Sequence, residues 1–233
     1  MRLILNVLLI CVGTMLPAAR AEDGRVFSLL DPPQQTEMIR CGVDPDDLDT
    51  FLALDQHTFD QSFDGEGWRD IGRPELTDCG VAQAAVIEAY LLYSRPHPVE
   101  SQKILRWHAA QALAGSGETR RAIAFFRGTY DRPDADRGGA WNLYADATIA
   151  FLEDDYEALI AARDALAALK PSEETIASKR AYFEQNPEFA ARFGDWETMI
   201  FEPPNLSVVE ELVECFGQPY EDAYGQCEAS SSP

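Results

Sequence analysis

The side chains of this sequence that could carry chemistry are five cysteines, three histidines and a large excess of carboxylates. Redox catalysis through thiols usually relies on a Cys-x-x-Cys pair that lowers a thiol pKa, and the sequence contains no such pair. Zinc sites need closely spaced cysteines or nearby histidines. His57, His97 and His108 are scattered, and none is near Cys215 or Cys227 in the sequence. The sequence therefore predicts no redox centre, no metal site and no cofactor.

The cysteines are better explained as structural. Cys11 lies in an apolar N-terminal run, which leaves Cys41, Cys79, Cys215 and Cys227. An even number of cysteines in an exported protein favours disulfides, here two bonds with three possible pairings. We favour Cys215–Cys227, which closes a loop of about 13 residues at the chain end, and by elimination Cys41–Cys79. A crossed pairing such as Cys41–Cys215 would tie the two ends of the domain together, and it stays open.

The sequence contains no recognisable motif for a nucleophile or for phosphate binding. Gly115-Ser116-Gly117 is one residue too short for the Gly-x-Ser-x-Gly turn of serine hydrolases, and a turn between helices explains it better. Glycine-rich phosphate loops and the His-Glu-x-x-His metal helix are absent. Glycoside cleavage needs a pair of carboxylates, and 40 acidic residues offer so many pairs that none stands out. A cell-wall-directed hydrolase or lyase stays an alternative without assigned catalytic residues.

The chain begins with the pattern of a secretory signal peptide. Arg2 precedes an apolar run over residues 3–16, and Pro17 then leads to the small-x-small sequence Ala19-Arg20-Ala21. An uncleaved anchor is the alternative, but a membrane span takes about 20 apolar residues and this run is shorter. We expect a signal peptide at residues 1–21, cleavage after Ala21 and a soluble exported protein without membrane insertion.

The charge of the sequence limits its partners. The full sequence has 19 basic and 40 acidic residues and a net charge of −21. Cleavage would remove Arg2 and Arg20, which leaves 17 basic residues against 40 acidic ones and a net charge of −23. So many carboxylates argue against binding to nucleic acid or to an anionic membrane surface. A basic partner is compatible, so an inhibitor or immunity-type protein that masks a basic partner is a second alternative function.

Apolar residues recur at helical spacing along most of the chain. For example, Trp141, Tyr144, Thr148 and Phe151 fall on one face of a predicted helix. Helices are expected from Asp44 toward Phe59, over 81–94, 101–114, 118–130, 139–152 and 154–169, after Pro171, and from Ser207 to Phe216. Asp44 and Ser207 are the expected caps of the first and last of these helices, and Gly217 is the expected left-handed residue after the last one. Tyr220 and Tyr224, four residues apart, are expected to pack back on the domain. Residues 22–36 have too few periodic apolar residues to predict a helix. No stretch shows the sustained alternation typical of strands. The predicted class is all-α, with packed antiparallel hairpins that form either an open solenoid fragment or a compact bundle.

Two of these hairpins resemble tetratricopeptide repeats (TPR). Trp107 and Trp141 are 34 residues apart, which is the period of that family. The matching residues are Gly117, Ala122, Phe126 and Pro133 in the first unit and Tyr156, Glu157 and Ala158 in the second. Ala158 follows Ala122 by 36 residues rather than 34, so the two units are not strictly in register. The resemblance covers residues 103–169 and implies helical hairpins.

A broader resemblance extends beyond the repeats. The stretches that carry it are FLALDQHTFDQ…GWR, WNLYADATIAFL…ALIAARDALAAL and VVEELVECFGQPYEDAY. They are similar to a family of exported proteins of Gram-negative bacteria. This resemblance implies a periplasmic location and one continuous domain, and it brings no reaction, cofactor or catalytic residue with it.

Three parts are expected within one continuous domain of residues 22–233. Residues 22–98 are an N-terminal helical part with a glycine-rich loop at 60–80, residues 99–170 are the repeat-like hairpins, and residues 171–233 are C-terminal helices with a disulfide-closed end. Glu66, Trp68 and Arg69 in the loop could line an active site, but a connector with one anchoring tryptophan is the simpler explanation.

The hairpins also predict a binding face for a protein or peptide partner. Arrays of this kind often bind peptides on a concave face, and the candidate residues are Trp107, His108, Arg120, Trp141 and Tyr144, with Arg121 as a second possible carboxylate anchor. The alternative is that the aromatic residues belong to the core and that His108 is a packed histidine. The favoured function is a protein-interaction or scaffolding module in the cell envelope.

Overall fold

The computed structural model of the chain describes residues 25–62, 66–72, 78–94, 98–131, 139–191 and 196–224. These residues form helices joined by turns, and no strand is found among them. The all-α class predicted from the sequence is therefore confirmed. Residues 1–21, where a signal peptide is expected, and Cys227 lie outside the described residues.

The helices follow one another along the chain with short connections. In chain order they are a 3₁₀ helix (Phe27–Leu29), α1 (Pro32–Arg40), α2 (Pro45–Ala53), α3 (Gln56–Gln61), a second 3₁₀ helix (Trp68–Asp70), α4 (Gly80–Tyr93), α5 (Val99–Gly115), α6 (Thr119–Arg127), α7 (Ala140–Leu152), α8 (Tyr156–Ala167), α9 (Glu173–Gln185), α10 (Pro187–Ala190), α11 (Trp196–Met199), α12 (Leu206–Glu214) and α13 (Tyr220–Ala223).

The N-terminal part differs from the sequence prediction in two places. No helix was predicted in residues 22–36, but α1 begins at Pro32, and its first turn is stabilised by the Gln34 side chain accepting from the backbone N–H of Asp31. The single helix expected toward Phe59 is two helices, because Asp55 caps a new start by accepting from the backbone N–H of Thr58. The predicted Asp44 cap of α2 is confirmed.

Two helical hairpins form the centre of the molecule. Helices α5 and α6 pack together, as do α7 and α8, and α4 packs on the outer side of α5. The turn between α5 and α6 contains Gly117 in the left-handed conformation, as the sequence predicted. The turn between α7 and α8 places Asp154 in the same conformation.

An aromatic cluster joins the two hairpins. The ring of Trp107 on α5 lies 4.5 Å from Phe126 on α6, and 4.9 and 4.5 Å from Trp141 and Tyr144 on α7. The indole nitrogen of Trp141 donates to the backbone carbonyl of Thr129. This packing fixes the angle between the hairpins.

The C-terminal helices close the hairpins into a compact bundle. Helix α12 packs on α7 and α8, and α13 packs on α5. Phe216 lies 6.0 Å from Phe151, and the hydroxyls of Tyr144 and Tyr224 are 2.7 Å apart. Within the described residues the hairpins are therefore covered by the chain itself rather than left open as a solenoid.

One detail of the C-terminal prediction is wrong and two are confirmed. Ser207 was expected to cap the last long helix, but α12 begins at Leu206 after Asn205, which has a positive φ of 63°. Gly217 is left-handed after this helix, as predicted. Tyr220 and Tyr224 pack side by side against the domain, as predicted, with ring centroids 5.3 Å apart.

A small second core lies between the hairpins and α12 in sequence. Phe183, Ala190 and Ile200 are buried together, with Trp196 stacked 5.2 Å from Phe183. Helices α9, α10 and α11 supply Phe183, Ala190 and Trp196, and Ile200 directly follows α11. This segment is thus held by its own apolar cluster.

The disulfide prediction is confirmed for one pair. Cys41 and Cys79 are bonded, with their Cα atoms 5.9 Å apart, and they join the end of α1 to the start of α4. The crossed pairing of Cys41 with Cys215 is excluded by this bond. Cys215 is itself disulfide-bonded, and its pairing with Cys227 stays a prediction because Cys227 lies outside the described residues.

Peptide mapping without reduction, on protein produced under oxidising conditions, tests that remaining pairing. We expect one linked peptide that contains Cys41 and Cys79 and a second that contains Cys215 and Cys227. Recovery of Cys215 linked to any other cysteine would contradict the expected closure of the chain end.

A substitution at the crossing of α4 and α5 tests the packing. A Cβ atom added at Gly80 would overlap the backbone carbonyl of Ala112 and the hydroxyl of Ser116, whereas a Cβ at Gly115 meets its nearest neighbour at 4.0 Å. We expect Gly80→Ala to lower the free energy of unfolding by about 1–3 kcal/mol. Gly115→Ala should leave it unchanged or raise it by less than about 1 kcal/mol. Urea unfolding followed by circular dichroism measures both, and equal effects would contradict the described crossing.

Candidate functional site

An open groove lies over helix α7. Its volume is about 680 Å³. One stripe of α7 forms the floor, and the lining residues on this helix are Leu143, Asp146, Ile149, Ala150 and Glu153. These positions are three or four residues apart, so they lie on one face of the helix. The opposite face carries Tyr144, Thr148 and Phe151 into the core.

The two walls of the groove have different characters. Arg127 and Tyr130 form one wall at and just beyond the end of α6, and Ala158, Ala161 and Ala162 form the other on α8. Alanine side chains keep the α8 wall low and leave room above the floor. The α8 wall is therefore apolar, while the floor combines apolar side chains with the carboxylates of Asp146 and Glu153, and the α6 wall is polar.

Two polar pairs join the α6 wall to the floor of the groove. The hydroxyl of Tyr130 donates to Oδ1 of Asp146 at 2.5 Å. Nη2 of Arg127 lies 2.7 Å from Oε1 of Glu153, and both of these side chains are largely exposed. An exposed ion pair contributes about 0–1 kcal/mol, so a ligand could separate the second pair at little cost.

Buried hydrogen bonds hold the α6 wall in place. Asn142 is buried on α7, and its side chain exchanges two hydrogen bonds with the backbone of Asp131, one donated and one accepted. Lys103 on α5 pairs with the Asp131 carboxylate at 2.7 Å. Because Tyr130 directly precedes this anchor, its hydroxyl is fixed relative to the floor of the groove.

The residues that the sequence singled out lie mostly elsewhere. Trp107 is 4% exposed and Tyr144 is 2% exposed, and both belong to the aromatic core. Trp141 is half-buried in the same cluster. This placement favours the core alternative for the three aromatic residues. The face on which Tyr144 lies is occupied by Tyr224 of the chain itself.

The charged candidates are also separated from one another. Arg120 is exposed on α6. Arg121 lies 3.6 Å from Glu88 on α4, and burial raises the pKa of this glutamate although Arg121 opposes the rise. His108 is on the side of α5 that faces the N-terminal part. The structure therefore brings only the three aromatic residues together.

His108 belongs to a buried polar cluster that the sequence did not reveal. Its Nδ1 lies 2.7 Å from Oδ1 of Asp60, which is 1% exposed. Trp68 donates its indole N–H to the same oxygen at 3.0 Å, and Gln61 donates to Oδ2. Arg69 stacks on Trp68, with its guanidinium carbon 4.2 Å from the ring centroid and its Nη2 3.6 Å from Oδ1 of Asp60.

The electrostatics of Asp60 follow from these partners. Burial opposes ionisation of the carboxyl group, but the hydrogen bond and the charge of His108, with hydrogen bonds from Trp68 and Gln61, outweigh burial and lower the pKa of Asp60. The carboxylate is thus charged and held from several sides. Such a group binds three elements together: α3, α5 and the second 3₁₀ helix.

An aspartate beside a histidine also occurs in active sites, where it orients a general base. A base must reach a substrate, and neither Asp60 nor His108 lines the groove or the second cavity. That second cavity, of about 250 Å³, lies beside the disulfide between α4, α5 and Glu221. The geometry of the Asp60 cluster therefore indicates a structural role, and Gly67 supports it because a side chain there would overlap the backbone of Phe59.

Sequence reasoning missed both Asp60 and the groove. Asp60 finds its partners 8 and 48 residues away, so no local pattern marks it. The groove had a usable signal, since Asp146 interrupts an otherwise apolar stripe at helical spacing on α7.

Comparison with protein-family models, with curated proteins and with solved structures finds no match for this chain. The resemblances to tetratricopeptide repeats and to exported Gram-negative proteins therefore stay predictions.

In the described part of the chain, no helix is long and apolar enough to span a membrane. In the same residues, no three histidine, cysteine, aspartate or glutamate side chains come close enough together to hold a metal ion.

Substitution of Asp60 tests the structural role of its cluster. We expect Asp60→Asn to lower the free energy of unfolding at pH 7 by about 2–3 kcal/mol, because charge-assisted hydrogen bonds are lost. The folded-state pKa of Asp60 lies below the unfolded value of about 3.9, so its contribution is complete above that value and is lost as the pH falls through the folded-state pKa. The difference between wild type and variant should therefore shrink below about pH 4.

Urea titrations at several pH values measure this difference. Asp164→Asn is the matched control, because Asp164 is mostly exposed and pairs only with its neighbour Arg163 in the described structure. A wild-type advantage that stays constant down to pH 2 would contradict the role given to the Asp60 charge.

Proposed function

We propose that this protein is a binding module of the bacterial cell envelope and that the groove over α7 receives a segment of another protein. The observation that carries the proposal is the groove itself, which has a floor of apolar side chains and carboxylates, a low alanine wall and a polar wall on the α6 side. Clefts that combine an apolar surface with a few placed polar groups are typical of binding sites. Arrays of helical hairpins commonly use such surfaces to bind extended or helical peptides.

The proposed location is the periplasm. The N-terminal pattern Arg2, apolar run, Ala19-Arg20-Ala21 supports export. The Cys41–Cys79 bond agrees with an oxidising compartment, since structural disulfides are rare in the cytosol.

Binding is favoured over catalysis by the position of the titratable groups. The one aspartate–histidine pair described lies away from both cavities. The groove contains two carboxylates, Asp146 and Glu153, and each is already paired with a neighbouring side chain. A cell-wall hydrolase or lyase would need a carboxyl group with a raised pKa facing its substrate.

Cross-linking from the groove in living cells tests the proposal. A photoreactive amino acid is placed at position 143 on the floor or at 158 on the α8 wall, with position 184 on α9 as the exposed control. We expect one discrete adduct shared by positions 143 and 158 and absent at 184. The adduct should disappear when Ala161→Trp fills the groove, a change at an exposed position that leaves the core intact.

The outcome is clear in either direction. Identical adducts from all three positions, or adducts from 143 and 158 that survive Ala161→Trp, would show that the groove is not the binding surface. Circular dichroism of each purified variant verifies that it is folded.

A further inference from the structure

The charges that line the groove are not balanced. Arg127 and Glu153 lie 2.7 Å apart and compensate each other. Asp146, the third charged lining residue, has no basic side chain within salt-bridge distance among the described residues. Tyr130 donates a neutral hydrogen bond to one of its oxygens. The floor of the groove therefore carries one uncompensated negative charge.

A hydrogen bond fixes the position of the Asp146 carboxylate on the floor of the groove. The Asn142 side chain holds the backbone of Asp131 next to Tyr130, and the Tyr130 hydroxyl donates to Oδ1 of Asp146. A carboxylate has about four lone-pair sites, so acceptor capacity is left for a second donor. Asp146 is half-buried, and an ion pair formed there would be screened less than one at the surface.

The surroundings add to the attraction for cations. The turn after α7 carries Glu153, Asp154 and Asp155, and Glu157 follows at the start of α8. The net charge of the whole sequence is −21. A cleft of net negative charge on such a molecule attracts cationic ligands and raises their association rate.

We infer that the groove selects a protein segment in which a lysine or arginine binds Asp146 and an aliphatic side chain lies beside it on the α7 floor. This inference rests on the proposed function and adds the chemistry of the partner. Leu143, Ile149 and Ala150 provide the apolar contact next to Asp146.

The helix also sets the spacing of the two side chains. Asp146 and Ala150 are four residues apart, which is about 6.0 Å along a helix axis. In an extended peptide, side chains on one face are two residues apart, about 6.6 Å. The best ligand should therefore carry its aliphatic residue two positions from its lysine or arginine.

Selection from a library of random ten-residue peptides tests this inference without assuming a partner. The baits are the full mature wild-type chain, Asp146→Asn, the blocked variant Ala161→Trp and the control Asp164→Asn. We expect wild type and Asp164→Asn to enrich peptides with Lys or Arg two positions from Leu, Ile or Val. Asp146→Asn should lose the preference for a cation, and it should bind an enriched peptide at least tenfold more weakly in fluorescence anisotropy.

Several results would overturn the inference. The role of Asp146 would be refuted if Asp146→Asn enriched Lys and Arg as strongly as wild type does, or if wild type enriched peptides without a cation. The proposed function would still stand in either case, provided that Ala161→Trp abolishes binding. Enrichment unaffected by Ala161→Trp would refute the groove and thus the proposed function as well. A groove-dependent dimer in sedimentation of the chain alone would assign the groove to a second copy and reject the cationic partner.

Discussion

The contact of Trp107 with three other rings is the interaction on which the rest of this structure depends. It joins α5 to Phe126 on α6 and to Trp141 and Tyr144 on α7, so one indole sets the geometry of both hairpins. Aromatic pairs at these distances contribute about 0.5–1.5 kcal/mol each beyond the area they bury. Because the C-terminal helices then cover Tyr144, the aromatic face belongs to the interior. Within the described residues, this face is therefore closed to a partner.

Two different faces of helix α7 contribute to the core and to the groove. The face with Tyr144 and Phe151 builds the core, and the stripe with Leu143 and Asp146 forms the floor of the groove. The polar contacts around Tyr130 and Asn142 connect the two, since they hold the α6 wall at a fixed distance from the floor. Core packing and the shape of the groove are therefore linked through one helix, while the charge of Asp146 can be changed without disturbing the core.

The sequence predicted the helices wherever an amphipathic stripe was present, because burial of one face imposes a 3.6-residue period. It did not predict α1, which has few apolar residues and depends on packing against α4 and on the Cys41–Cys79 bond. It left open whether Trp107 and Tyr144 were core or binding residues, because the same spacing serves both. Asp60 was missed for a different reason: a buried carboxylate is defined by partners that only the fold brings together.

Nuclear magnetic resonance titration of the labelled protein with a peptide that carries lysine and leucine two positions apart shows which face of α7 a ligand contacts. Binding to the outer stripe should shift the amides of Leu143, Asp146 and Ile149 and leave the indole N–H of Trp107 unchanged. Shifts centred on Trp107 and Tyr224, with no shift along the α7 stripe, would show that the ligand displaces the C-terminal helices and that the outer stripe is not the binding surface.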